Sequence, residues 1–531
     1  DYKIMQGNSL LEELVLGDTS IKLFNSQASS RKRGVNKQEF QEVFQEKLSL
    51  GGKKIHEESK EKLLEKYKKL QINFFNESDH DIKKKIKEQL TRIETDLIEQ
   101  SVKSEIEQLD SQNKGLGNYI IPGLGMTKKD AEKFQKNLSK QAQIMKVLDE
   151  FKKSGVRPFF LWGLYFADVF ERKGGFDIVI ANPPYINTKR GIDPLVKSAY
   201  KEIYKSAEGQ FDLFTIFIEK GIELTRNGLT YIIPKPFINN ENYELIRKMV
   251  LDCGLYEIII GSDVFEAANV ESCVFLASKN ENSNNISILN FEDRKFLKHN
   301  EVSKSFYQTL PFNMINTEVN NTDLAIFEKI NKNSVALEEF INITRGVECG
   351  KNDKSVSDKK TDFKLLRGGD VKKYRVDYKD LYIKFDERDE KKFKNINLYT
   401  SDKILVRRVG NDLIATLDHD GYIVLNTVYC CLPKNNTSLS FIVAILNSKL
   451  ISYWFKKTFV LNDKLFPYVR KSQLNLIPIK KIDGTKKINQ LVDKILNLTK
   501  SDDYLQDQPK QKKVQEYQEQ IDKMVFELYN L

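Results

Sequence analysis

Four histidines and five cysteines are all that 531 residues offer to a soft metal. The cysteines, Cys253, Cys273, Cys349, Cys430 and Cys431, show no C-x-x-C spacing. No metal site is expected, and free thiols suit a reducing cytoplasm. Long apolar runs are missing too. None reaches the ~20 residues that cross a bilayer, and no signal-peptide pattern is present, so no membrane role is expected. The first residue is Asp1 rather than Met, which reads as a fragment or a trimmed chain. Charge is what the sequence has in plenty. Asp, Glu, Lys and Arg make up 30% of it, against 40% hydrophobic residues, with a net charge of +10. Cores under a very polar surface follow, spread over about two to four domains. The positive balance suits a polyanionic partner where it clusters.

One stretch organises the rest: Phe176-Asp177-Ile178-Val179-Ile180-Ala181-Asn182-Pro183-Pro184-Tyr185. A short apolar run, β-branched in its middle, lies between Gly174-Gly175 and a proline pair. The pattern predicts a strand buried in a parallel sheet. It stops at Asn182, because proline donates nothing to a ladder. An amide, two φ-locked residues and a ring then stand at the carboxyl end of a strand, where open α/β sheets bind ligands. The set suits the exocyclic amine of adenine, a poor nucleophile whose lone pair is delocalised into the ring. The Asn182 amide oxygen can accept one N–H and the Pro183 carbonyl the other, with both prolines fixing the geometry. Tyr185 offers a flat face to a base swung out of a duplex. The bland alternative is an ordinary strand-ending Asn-Pro turn.

Asn182-Pro183-Pro184-Tyr185 after such a strand resembles the catalytic motif of amino-methyltransferases that use S-adenosylmethionine. Its surroundings, Phe159-Phe160-Leu161-Trp162, Phe166-Ala167-Asp168-Val169-Phe170 and Gly174 to Asp177, resemble the adenine-specific methyltransferase region of Type IIG restriction–modification enzymes. The resemblance implies further roles. Asn8 would bond the cofactor adenine, Leu213 and Phe217 would line its pocket, and Phe265 would pack on the extruded base opposite Tyr185. Each has a plain alternative: a turn residue for Asn8, core residues for the other three. The family's glycine-rich cofactor loop and ribose-binding acid are not found ahead of Asn8. Gly115-Leu116-Gly117 and Gly123-Leu124-Gly125 follow no buried strand. The N-terminal part of the fold is therefore expected outside this chain, which puts activity of the chain alone in doubt.

Residues 20–155 read as a helical insert, with Ile82, Ile86, Leu90, Ile93 and Leu97 at helical spacing and a polar break from Asn76 to Asp81. The polar residues after Tyr185, up to about Gln210, read as a mobile loop over the site. Phe211 to Thr225 is an expected helix stopped by Gly228. Leu229–Ile233, Leu255–Ile260 and Ser272–Ala277 are expected strands. From Val335 short strands alternate with basic loops. The succession Ile343-Thr344-Arg345-Gly346, Leu365 to Asp370, Lys403 to Arg408, Gly421 to Leu425, Ala444 to Lys449, Phe466-Pro467-Tyr468 and Leu476 to Ile479 resembles the TaqI-like C-terminal specificity domain. Arg345, Lys351, Arg367, Lys372, Arg407, Arg408, Lys449 and Lys464 are its expected DNA contacts, with Lys354, Lys373 and Arg470 beside them. Arginines suit guanine edges and lysines suit phosphates.

The expected architecture is α/β. Residues 1–19 and 156–334 form a Rossmann-like methyltransferase domain, incomplete at its N-terminus. Residues 20–155 are the helical insert, 335–481 an α+β DNA-recognition domain, and 482–531 C-terminal amphipathic helices. The expected function is site-specific methylation of adenine N6 in double-stranded DNA, within a restriction–modification or related phage-defence system in the cytoplasm. The expected partners are that DNA, the missing N-terminal part and a nuclease domain or subunit elsewhere, since no E-x-K string here sits on a convincing buried strand. Two rivals stand beside it: a non-catalytic DNA-binding specificity subunit, and a protein glutamine methyltransferase, which has no need of a basic recognition domain.

Overall fold

The computed structural model describes residues 9–10, 13–16, 19–22, 54–117, 129, 132–135, 137–139, 141–142, 144–145, 160 and 162–531. Excepted from that last span are 190, 193, 262–270, 350–352, 391, 411, 460–467 and 482–483. Contacts divide the chain into two units. One comprises Asp1–Phe237, Asn242–Ser283 and Leu289–Leu297, the other Ile238–Glu241, Asn284–Ile288 and Lys298–Leu531. No helix among the described residues is long and apolar enough to cross a membrane.

The first unit carries a Rossmann-like sheet. Four of the sheet's six strands are β1 (Phe176–Ala181), β2 (Thr225–Pro234), β3 (Leu255–Gly261) and β4 (Ser272–Ser278), in the order β1-β2-β4-β3. β1 and β2 run parallel, with Ala181 opposite Tyr231, while β4 is antiparallel to both of its neighbours. The helix Leu213–Leu224 connects β1 to β2, and a crossover of this length is what a parallel pair requires. That helix ends at Leu224 and β2 starts at once with Thr225, four residues before the expected start at Leu229. Gly221 shows how tightly the two pack. A Cβ there would lie 2.3 Å from the Tyr231 hydroxyl, which donates to the Phe217 carbonyl at 2.9 Å.

Two expectations fail in this unit. β1 is not buried: Ile178 and Ile180 are 61% and 76% exposed. Only its β2 side is paired among the described residues, and the two isoleucines, two residues apart, share one exposed face of the sheet. The segment after Tyr185 is not an open loop either. It forms a helix, Pro194–Ile203, whose Ala199 and Tyr200 are buried together with Tyr204. The buried Glu219 carboxylate accepts from the N–H groups of Lys205 and Ser206 at 3.0 and 2.8 Å, which satisfies the turn that follows.

The helical insert is α1 (Lys54–Asn76) and α2 (His80–Gly117), with the break where the sequence expects it. Leu90, Ile93 and Leu97 are buried, and they share one core with Tyr165, Tyr200, Leu213 and Ile216 of the same unit. Polar pairs fix the joint. Tyr165 donates its hydroxyl to the buried Glu94, and Gln71 donates to the Tyr165 carbonyl.

The second unit is α+β. Four antiparallel strands, β5 (Ile341–Arg345), β6 (Lys403–Arg407), β7 (Ala415–Asp418) and β8 (Val428–Pro433), stand in the order β5-β8-β6-β7. A buried ion pair holds β6 to β7: Lys403 Nζ lies 2.5 Å from Asp418 Oδ2, both side chains fully buried. Asp418 also accepts from the N–H groups of Asp420, Gly421 and Tyr422, so the charge is well satisfied. Ala444 to Lys449 is the end of one helix (Leu439–Asn447) and the start of the next (Lys449–Thr458), joined at Ser448. Asn447 clamps β7 there, donating to the Ala415 carbonyl and accepting from the Ala415 N–H, each at 2.9 Å. The C-terminal helices Lys486–Thr499 and Gln508–Leu528 bury Ile488, Leu491, Val492 and Ile495, and Ile521 and Val525, along the expected stripes.

Candidate active site and nucleic-acid interface

The first site is the corner at the end of β1. The strand is anchored at its start, where Asp177 accepts from Lys173 Nζ at 2.7 Å and from Arg226 Nε at 2.6 Å. Those cations hold its carboxyl below the usual range. The ladder ends at the Ala181–Tyr231 pair, and the next residue, Asn182, is exposed. Pro183 is buried, so the backbone is fixed beside a free amide. The chain then folds back over the carboxyl end of β2. Tyr185 donates its hydroxyl to the Ile232 carbonyl at 3.1 Å, just past the last β2 residue that pairs with β1. Burial pushes the Tyr185 phenol above its usual pKa, against a hydrogen bond with Ser272 that lowers it, while the residue remains 37% exposed. The Cys273 thiol beside it is pushed up to about 12 by burial, so it is an inert, protonated wall.

Beyond Tyr185 the corner is pinned to the helix Leu213–Leu224. The Leu213 N–H donates to the Ile186 carbonyl at 3.0 Å, and the Thr188 hydroxyl donates to the Phe211 carbonyl at 2.6 Å. Asp212, between them, accepts from the Tyr243 hydroxyl. The Leu213 and Phe217 side chains belong to the core shared with the insert, Leu213 buried and Phe217 partly so. Asn8 and Phe265 lie outside the described residues.

The second site is a basic cleft of about 510 Å³ in the second unit, lined by Arg345, Lys394, Arg408, Tyr429, Tyr468 and Arg470 among others. Distant stretches meet there because Val409 and Tyr468 form an antiparallel bridge and the Val469 N–H donates to the Arg408 carbonyl at 2.8 Å. Of the expected DNA contacts, Arg345 and Arg408 line this cleft, and Arg470 joins them. Arg367, Lys372, Arg407 and Lys449 do not line it. Arg367 lies 3.8 Å from Asp370, and Lys449 lies 3.9 Å from Asp522. Lys351 and Lys464 are outside the described residues. Sequence reading missed Lys394 and Lys471. The basic doublet Arg470-Lys471 was a usable signal for one of them, whereas Lys394 lies in a charge run that reads as a solvated face.

Residues 19–265 match the model of the Eco57I restriction-modification methylase family, and residues 363–479 that of the TaqI-like C-terminal specificity domain. The chain is homologous to Type II restriction–modification enzymes. A Methanocaldococcus jannaschii protein designated RM.MjaORFECS2P is 29% identical over 362 residues, which is 62% of this chain and 29% of that protein. The Type II restriction enzyme and methyltransferase RM.Eco57I of Escherichia coli is 33% identical over 144 residues, 25% of this chain and 14% of its own length. The chain thus spans less than a third of the curated relatives it matches. Among solved structures, the DNA complex of the Type IIL restriction–modification enzyme MmeI aligns at 13% identity and a TM-score of 0.44, covering 81% of this chain and 68% of that one. The Eco57I-type methylase region holds the Asn182–Tyr185 corner. The specificity domain holds Arg408 and Tyr468.

Proposed function

We propose that the chain supplies the catalytic corner and the recognition domain of a site-specific DNA methyltransferase acting on the N6 amine of adenine. One observation carries this reading: an exposed Asn182 amide fixed by buried Pro183 at a strand end, beside a half-exposed Tyr185 ring held by its own hydroxyl. S-adenosylmethionine, when bound, supplies an electrophilic methyl group. An amide, a backbone carbonyl and a ring fit a neutral planar base. Asn182 Oδ1 and the Pro183 carbonyl accept the two amine hydrogens, which turns the lone pair out of conjugation. No strong base is needed, since the methylated amine is acidic enough to lose its proton to water. Tyr185 stacks on the extruded base, with Phe265 as its second wall. Asn8, Leu213 and Phe217 contact the cofactor.

The recognition domain, residues 335–481, meets duplex DNA through Arg345, Lys351, Arg367, Lys372, Arg407, Arg408, Lys449 and Lys464. Among the described residues the outer edge of β1 is unpaired and Ile178 and Ile180 are exposed, which supports a further polypeptide segment pairing there and completing the cofactor site. A nuclease domain or subunit is a second partner, in a cytoplasmic restriction–modification or phage-defence system. The same open edge favours one other reading, a non-catalytic DNA-binding subunit. Incubation with tritiated S-adenosylmethionine and duplex DNA decides between them. Label transferred to DNA supports methylation. DNA binding with neither transfer nor cofactor binding supports the second reading.

A further inference from the structure

We propose that the cleft around Tyr468 reads the edge of a guanine in duplex DNA, with Arg470 as a specificity-determining side chain. This rests on the DNA-recognition reading above. The Tyr468 ring has two guanidiniums against it, Arg408 at 5.0 Å and Arg470 at 5.7 Å from its centroid. Each is also held by an acceptor. Arg470 Nη1 pairs with Glu241 Oε1 at 3.4 Å, and Glu241, in the same unit, accepts from the Ser472 hydroxyl at 2.6 Å. Arg408 Nη1 donates to the Asn426 carbonyl at 3.3 Å, and its Nε is buried with no hydrogen-bond partner. On the same cleft, Arg345 Nη1 donates to Glu348 Oε1 at 2.7 Å.

These contacts separate base reading from phosphate binding. Among the described residues, five cations, Arg345, Lys394, Arg408, Arg470 and Lys471, line the cleft against the two carboxylates Glu241 and Glu348 paired to them, a net charge of +3. A carboxylate beside a guanidinium weakens its pull on another anion. It leaves the direction of the remaining N–H donors intact, and the aromatic contact fixes their plane. Fixed, partly neutralised donors match the paired neutral acceptors O6 and N7 of guanine better than they match a phosphate.

The test uses the full chain. A preferred duplex is selected from a randomised pool, and each guanine in it is then replaced singly by 7-deazaguanine, which removes N7 and keeps every phosphate. One replacement should weaken binding by about tenfold, the order expected for a lost bidentate contact. That effect should vanish in Arg470→Ala and Arg470→Lys, since an ammonium lacks the fork, and persist in Tyr468→Phe. The salt slope of Arg470→Ala should match that of the unsubstituted chain. The proposal is overturned if Arg470→Lys keeps full discrimination while Arg470→Ala loses affinity on all sequences and about one unit of slope, which marks a phosphate contact. It is also overturned if every 7-deazaguanine effect survives in Arg470→Ala. Failure to select any duplex sinks the DNA-recognition reading instead. Urea melts of the variants confirm that each is folded.

Discussion

The corner at Asn182 and the cleft at Tyr468 both present a half-exposed tyrosine, and they hold it by opposite means. Tyr185 is fixed by backbone: two prolines before it, and a bond from its hydroxyl to the Ile232 carbonyl. Tyr468 is fixed by charge, with Arg408 and Arg470 both against its ring. The corner is built on the consecutive residues Asn182 to Tyr185 at one strand end. The cleft gathers side chains from Ile343 to Ser472. A site made of backbone and a neutral amide suits chemistry on a neutral base, where preorganisation matters and salt does not. A site made of guanidiniums and carboxylates suits selection among base edges, and its surroundings feel ionic strength.

The largest expected effect breaks the first site and spares the second. Asn182→Ala should cut methylation by ~100-fold or more, as loss of one preorganised polar group does, while DNA affinity stays within a few-fold. Single-turnover assays of an active preparation measure both, and substantial remaining activity removes Asn182 from the chemistry. The mirror experiment is Asp418→Ala. It strands the fully buried Lys403 ammonium on β6, the strand that leads into Arg408, and should cost ~3–5 kcal/mol of the second unit's stability in urea. An unchanged melt means that the pair is solvated in solution.

Between those two extremes lies Tyr185. Its replacement by Ala should lose ~1–3 kcal/mol of base stacking and brighten 2-aminopurine at the target position. Tyr185→Phe keeps the ring but drops the bond to Ile232, and should cost ~0.5–1.5 kcal/mol. Equal damage from both changes means that the hydroxyl, not the face, does the work. The smallest effects come from the neighbouring arginines. Arg408→Ala should weaken DNA binding. Arg407→Ala, off the cleft, should do so by less, with a salt-slope change of about one unit at most. Equal losses would dissolve the distinction drawn for the cleft.

What the sequence could reveal follows from the same contrast. The end of β1, the breaks at Asn76 and His80 and the stripes of the C-terminal helices are written in local chemistry: prolines, polar caps and helical spacing. The exposure of Ile178 and Ile180 is illegible in the sequence, because burial depends on what packs against that face of the sheet. The helix Pro194–Ile203 is hard to read because its described buried residues, Ala199 and Tyr200, stand among Lys197, Ser198 and Lys201. The Ala444 to Lys449 run was recognised as a motif, but its use was not. Asn447 clamps the Ala415 backbone, a contact between residues 32 apart that no periodicity announces. Lys394 entered the cleft by the same route, through tertiary placement of a run that looked solvated.

The proposal stands on the Asn182–Tyr185 corner holding the N6 amine of adenine for methyl transfer. Nucleoside analysis of DNA after reaction with labelled S-adenosylmethionine tests it most directly. The account predicts label in N6-methyldeoxyadenosine, at one sequence position, and its loss in Asn182→Ala. Label in a methylated cytosine instead, or label that persists at adenine in Asn182→Ala, contradicts it.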